Sequence, residues 1–135
     1  MPDSESGPRV TRWLFVVAGF AAALVTLMRA IFGGGSDLAA LERELAGNDV
    51  IGIVRVNGHA LNAIFASFAV ALLVAARAPR AAARAIGVLA AIAFGATGIV
   101  LMVVSAQQTG TPFTHYPYIP LGITALLAAA AAWRG

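Results

Sequence analysis

The chain has 135 residues, 60% of them apolar and only 11% charged, whereas roughly a quarter of an ordinary soluble domain is charged. Its net charge of +3 comes from nine arginines set against six carboxylates, with no lysine. These arginines are dispersed at the ends of apolar runs, which is not the basic patch of a nucleic-acid-binding protein. The absence of cysteine excludes disulfide exchange, thiolate catalysis and thiolate metal sites.

Met1 to Pro8 is polar and acidic, and Arg9 and Arg12 precede an apolar run from Trp13 to Phe32 broken only by Thr26 and Arg29. The apolar core of a signal peptide is shorter, roughly 7–15 residues, so a retained helix is expected over about 10–32. At 1.5 Å per residue that suffices for a hydrocarbon core of about 30 Å. Gly33-Gly34-Gly35-Ser36 is expected to end it, since successive glycines disfavour helix. From Asp37 to Ala46 the apolar residues Leu38, Leu41 and Leu45 recur at helical spacing while Glu42, Arg43 and Glu44 take the other side. That pattern predicts a short amphipathic surface helix, capped by Ser36 or Asp37 and ended at Gly47.

The second helix is expected over about 51–76. It opens on Arg55-Val56-Asn57-Gly58-His59-Ala60-Leu61-Asn62, which runs straight into the apolar stretch Ala63 to Ala76. A basic turn from Arg77 to Arg84 follows, with Pro79 breaking the helix. A third helix is expected over about 85–106, then an uncharged polar loop from Gln107 to Tyr116 containing Gly110 and Pro112. Pro117 suits the first turn of a fourth helix, about 117–133, because its missing N–H costs least there. The expected fold is therefore all-α: a single-domain integral membrane four-helix bundle with a surface helix between helices one and two. With both termini on one side, that side carries Arg9, Arg12, Arg77, Arg80, Arg84 and Arg134, against Arg29, Arg43 and Arg55 on the other. The arginine excess predicts cytoplasmic termini; the expected location is a bacterial inner membrane. Trp13 and Trp133 fit interfacial anchors on that face, and Phe113, Tyr116 and Tyr118 suit the opposite one.

Helical wheels place Gly19, Ala22, Thr26 and Arg29 on one face of helix one, and Arg55, His59, Asn62, Ala66 and Ala69 on one face of helix two. Helix three offers Gly87, Ala91, Gly95, Gly98, Met102 and Ser105, and helix four His115, Tyr118, Gly122, Ala125 and Ala129. Small residues at the cytoplasmic half allow close helix approach in lipid. The polar ends predict an outward pocket lined by Arg29, Arg55, His59, Asn62, Gln107, His115 and Tyr118. Each also has a plainer role. Arg29 and Arg55 can snorkel to acidic neighbours such as Asp37, Glu42 or Asp49; His59 and Asn62 can bond between helices; His115 and Tyr118 can be interface residues.

An apolar pocket with a few convergent polar groups is the usual form of a small-molecule site. Arg55 could hold an anionic or carbonyl oxygen, His59 could exchange a proton and Asn62 could orient its ring. A quinone, a lipid headgroup or a small apolar metabolite suits such a set. No nucleophile–base–orienter set is visible, and no carboxylate lies within a span to relay protons. No cofactor is assigned; haem held by His59 and His115 is conceivable but has no flanking signature. Copper held by the same histidines with Met28 or Met102 has still less support.

The run Leu41 to Pro79 (LERELAGNDVIGIVRVNGHALNAIFASFAVALLVAARAP), followed by two more spans, resembles the small four-helix DoxX-like membrane proteins. The resemblance rests on size, a surface segment after helix one, a polar start to helix two and a basic turn after it. It implies the architecture, with some such proteins tied to quinone or redox partners, and it assigns no functional residue. Three functions are open: an accessory, assembly or scaffold subunit acting through its helix faces; a binder of a quinone-like ligand in the outer pocket; and an oligomeric transporter or channel. The expected partners are the lipid bilayer and either a second copy or a membrane complex, with no nucleic acid.

Overall fold

The computed structural model describes residues 6–36, 43, 44, 50–113 and 118–134. The described residues hold four long α-helices: α1 (Ser6–Met28), α2 (Val50–Ala75), α3 (Arg80–Thr109) and α4 (Tyr118–Arg134). No strand occurs among the described residues. Of the expected surface helix only Arg43 and Glu44 are described, both helical and exposed, and the rest lies outside the described residues. Among the described residues three helices are long and apolar enough to cross a membrane, Thr11–Phe32, Ile51–Ala75 and Arg80–Thr109, whereas Tyr118–Arg134 is a shorter apolar helix.

The first and third helices differ from their expected bounds, the first already beginning at Ser6. The Gly33–Gly35 run does not end the first helix; the chain widens into a π-helical segment, Arg29–Ser36. Glycines tolerate the wider winding, and where water is scarce the backbone must keep bonding to itself. The third helix is longer at both ends. It begins at Arg80, directly after Pro79 (φ −57°, ψ 148°), so Arg80 and Arg84 belong to its first turns. It ends at Thr109, where Gly110 turns left-handed (φ 76°) and its N–H caps the Ala106 carbonyl at 3.0 Å. At 30 residues it is about 45 Å long, longer than the roughly 30 Å of a hydrocarbon core.

Helix packing follows side-chain size. Gly87 of α3 faces Ala128 and Ala132 of α4, Gly95 faces Ala125 and Gly98 faces Leu121, which fixes an antiparallel α3–α4 pair in close approach. Phenylalanines instead hold α2 and α3 apart, with Phe65 stacked on Phe94 at 4.7 Å and Phe68 edge-on to it at 6.2 Å. In α1, Gly19 lies against Leu73 of α2, Phe15 reaches Gly87 of α3, and the Thr11 hydroxyl donates to the Arg134 carbonyl of α4 at 3.0 Å. Contacts thus run in the cyclic order α1, α2, α3, α4 and back to α1. The start of α1, the α2–α3 turn and the end of α4 share one end of the molecule. The end of α1, the start of α2, the end of α3 and the start of α4 share the other.

The distribution of apolar residues is inside-out. The buried set is mostly alanine, with Phe15, Val25, Phe65, Leu72, Phe94 and Leu121 the larger members, while 26 large apolar side chains are exposed among the described residues. A water-soluble chain does not turn whole helix faces of Val, Leu and Ile outward; a hydrocarbon surround removes that penalty. Hydroxyls follow the same logic. Thr26, Ser67, Thr97 and Thr124 each donate to the carbonyl four residues earlier, all at 2.8 Å, so none of the four needs water.

Candidate functional site

The topology brings Arg29, Arg55, His59, Asn62, Gln107 and Tyr118 to one end of the molecule, but their side chains do not share one environment. His115 lies outside the described residues. Arg29 opens the π-helical segment and is half-buried; Asn62, on α2, is half-buried too. Arg55 and His59 are exposed, as is Gln107 on the last turn of α3. Tyr118 is half-buried on the first turn of α4, its ring 5.8 Å from that of Phe113.

The reason lies in the phase of α2. Its inward face runs through Asn62, Phe65, Ala69 and Leu72, and Ala66 is exposed. Relative to the expected wheel, Asn62 and Ala69 keep their inward position while His59 and Ala66 turn outward; Arg55, two turns before Asn62 on the same side, is exposed because it stands near the start of α2. Bulk decides this, because Phe65 fills the gap against Phe94 that no smaller residue on α2 could fill.

Among the described residues two polar atoms are buried without a hydrogen-bond partner: the Nε of Arg29 and the Oδ1 of Asn62. With Gly19 against Leu73 in antiparallel helices, advancing ten residues along α1 and retreating ten along α2 sets Arg29 level with Ala63, beside Asn62. The register therefore places an orphan N–H donor and an orphan carbonyl acceptor at the same depth. A buried polar atom left unpaired costs about 1–3 kcal/mol, so the pair suits a small molecule carrying both an acceptor and a donor. The guanidinium would hold a carbonyl or anionic oxygen, and the amide oxygen would accept from a hydroxyl or amide.

Hydroxyl groups missed as a set in the sequence close the same end. Ser105 is fully buried and donates to the Thr111 carbonyl at 3.0 Å; the Thr109 hydroxyl is shared between the carbonyls of Ser105 (2.8 Å) and Thr111 (3.1 Å). Together with the Gly110 cap these bonds fold the chain back onto the last turn of α3. The Ser-x-x-x-Thr-Gly-Thr spacing was the available signal, since a hydroxyl one turn before a left-handed glycine can reach the returning backbone.

The metal chemistry considered from sequence gains no geometry. His59 is exposed on α2 and Met28 is exposed, while Met102 is half-buried. No group of three His, Asp or Glu residues able to hold a metal ion occurs among the described residues. Comparison with family models, with curated proteins and with solved structures yields no match for this chain.

Proposed function

We propose that the chain is an integral membrane four-helix bundle that serves as an accessory or assembly subunit, docking to partner helices through the outward edge of α2. The observation that carries this reading is the exposure of His59. It lies eight residues into the candidate span Ile51–Ala75, a depth of about 12 Å. Ionisable side chains within spans almost always turn inward to a protein partner, and an unpaired polar group in hydrocarbon costs several kcal/mol. An outward His59 therefore calls for a partner beyond the described residues, and a docked helix supplies one. On the same side of the helix stand Ala60, Ala63 and Ser67, all exposed, and Gly52 has open space where a Cβ would stand. Small residues beside hydrogen-bonding ones form the usual docking face between helices in lipid.

The arginine distribution supports cytoplasmic termini under the positive-inside rule, and the DoxX-like resemblance, carried as part of this proposal, points to a bacterial inner membrane. The test is purification in mild detergent of the wild type and of His59→Leu/Ser67→Leu. A stable complex, with itself or a partner subunit, is expected for the wild type and a helical monomer for the variant. A wild type that runs only as a monomer, or a variant that stays assembled, would refute the reading.

A second reading is favoured by the orphan atoms of Arg29 and Asn62: a quinone-like ligand bound between α1 and α2 in its reduced, quinol form, one ring oxygen accepting from Arg29 and the other ring hydroxyl donating to the Asn62 oxygen. Mass spectrometry of a lipid extract should then find the ligand in wild-type protein and lose it in Arg29→Gln/Asn62→Leu. Its absence from wild type would sink this alternative.

A further inference from the structure

We infer that the α2–α3 turn and the first turns of α3 bind the headgroup of an anionic phospholipid, through Arg77, Arg80 and Arg84. This rests on the membrane reading above and adds a ligand class to a surface that reading leaves unused.

The argument begins with a missing counter-charge. From Val50 onward the sequence holds five arginines and no Asp or Glu. The fold then gathers Arg12, Arg77, Arg80, Arg84 and Arg134 at one end, all exposed. Among the described residues no Asp or Glu stands at that end, the described Glu44 lying between α1 and α2 at the other.

The turn is also held in place. The Arg77 N–H donates to the Val74 carbonyl at 3.0 Å and the Ala78 N–H to that of Ala75 at 3.1 Å. Arg80 and Arg84 stand one helical turn apart on the same side of α3, close after Arg77. Three guanidinium groups thus issue from a short, ordered stretch, and the guanidinium fork matches phosphate oxygens in pairs.

The neighbouring surface selects the class of anion. Val74, Val88 and Leu89 are exposed directly beside the arginines. Trp13 and Trp133 stand exposed at the same level on α1 and α4, where interfacial tryptophans belong. A free phosphate satisfies the cations and leaves the apolar surface bare, and an acidic peptide does the same. An amphiphile with an anionic head covers both at once.

The test uses the full chain in neutral detergent, with native mass spectrometry against phosphatidylglycerol and phosphatidylcholine of identical acyl chains. Phosphatidylglycerol should be retained preferentially, by about fivefold for each arginine engaged. Arg77→Gln/Arg80→Gln/Arg84→Gln should abolish the preference and leave phosphatidylcholine retention unchanged. The triple lysine variant should keep most of the preference, and Arg43→Gln, between α1 and α2, should keep all of it. Circular dichroism shows whether the glutamine variant folds; if it does not, the three single variants, each weakening phosphatidylglycerol about fivefold, decide the matter. Equal retention of the two lipids, an undiminished preference in a folded glutamine variant, or full competition by inorganic phosphate at the lipid's concentration would overturn the inference. Failure of the membrane reading itself would show separately, as protein that stays soluble without detergent.

Discussion

Replacing Gly87 by alanine tests the claim that α3 and α4 are held by close approach rather than by bulk. A Cβ at Gly87 would stand 2.9 Å from the Ala132 Cβ, 3.0 Å from the Ala128 carbonyl oxygen and 3.2 Å from Phe15 Cε1. Carbon atoms prefer about 3.5–4.0 Å. Neither a methyl on a helix nor a backbone carbonyl can rotate away, so the helices must part by roughly 0.5–1 Å, which forfeits a quarter to a half of each contact along the seam. Overpacking of this kind costs about 1–3 kcal/mol. Alanine returns up to about 1 kcal/mol of helix propensity, so strain wins and the net loss is about 1–2 kcal/mol. At Gly95 the same Cβ would meet Ala125 Cβ at 3.7 Å, an ordinary contact. There propensity wins, and Gly95→Ala should be neutral or stabilising by up to about 1 kcal/mol. Unfolding followed by circular dichroism in one detergent, on both variants and wild type, reads the difference. If Gly87→Ala is as stable as wild type, or if Gly95→Ala is destabilised equally, the proposed α3–α4 seam is wrong.

Other substitutions probe the remaining contacts. Asn62→Leu removes a buried carbonyl oxygen that has no partner and should stabilise delipidated protein by about 1 kcal/mol or more; a loss of stability in the same unfolding assay would show that the amide is held. Ser105→Ala deletes the buried bond to the Thr111 carbonyl, costing about 1 kcal/mol. Faster hydrogen exchange or proteolysis around Gly110 should accompany it, and unchanged exchange would argue against the folded-back turn. Phe94→Ala opens the space between α2 and α3. Its cost should fall below the about 3–5 kcal/mol typical of a water-soluble core, because lipid supplies no hydrophobic drive between helices; a loss of 4 kcal/mol or more in the unfolding assay would contradict a hydrocarbon surround.

What could be read from the chain alone was set by solvent and charge. Apolar runs of about 20 residues can only be helices in lipid, because every backbone N–H needs a partner close by in sequence. Arginine placement likewise marks the two ends without reference to packing. The glycine run after Phe32 misled for the converse reason: propensity says coil, whereas the fold keeps the backbone wound as a π-helix through Ser36. The tertiary structure alone decided which face of α2 points inward. Alanine-rich spans carry almost no polarity contrast around the helix, so the wheel could not separate Asn62 from His59. Shape separated them, since Phe65 stacks on Phe94 and turns Asn62 in and His59 out. The pairing of α3 with α4 was likewise hidden, because Gly87, Gly95 and Gly98 announce only that something comes near. What comes near depends on which helix stands opposite, and that is a property of all four helices at once.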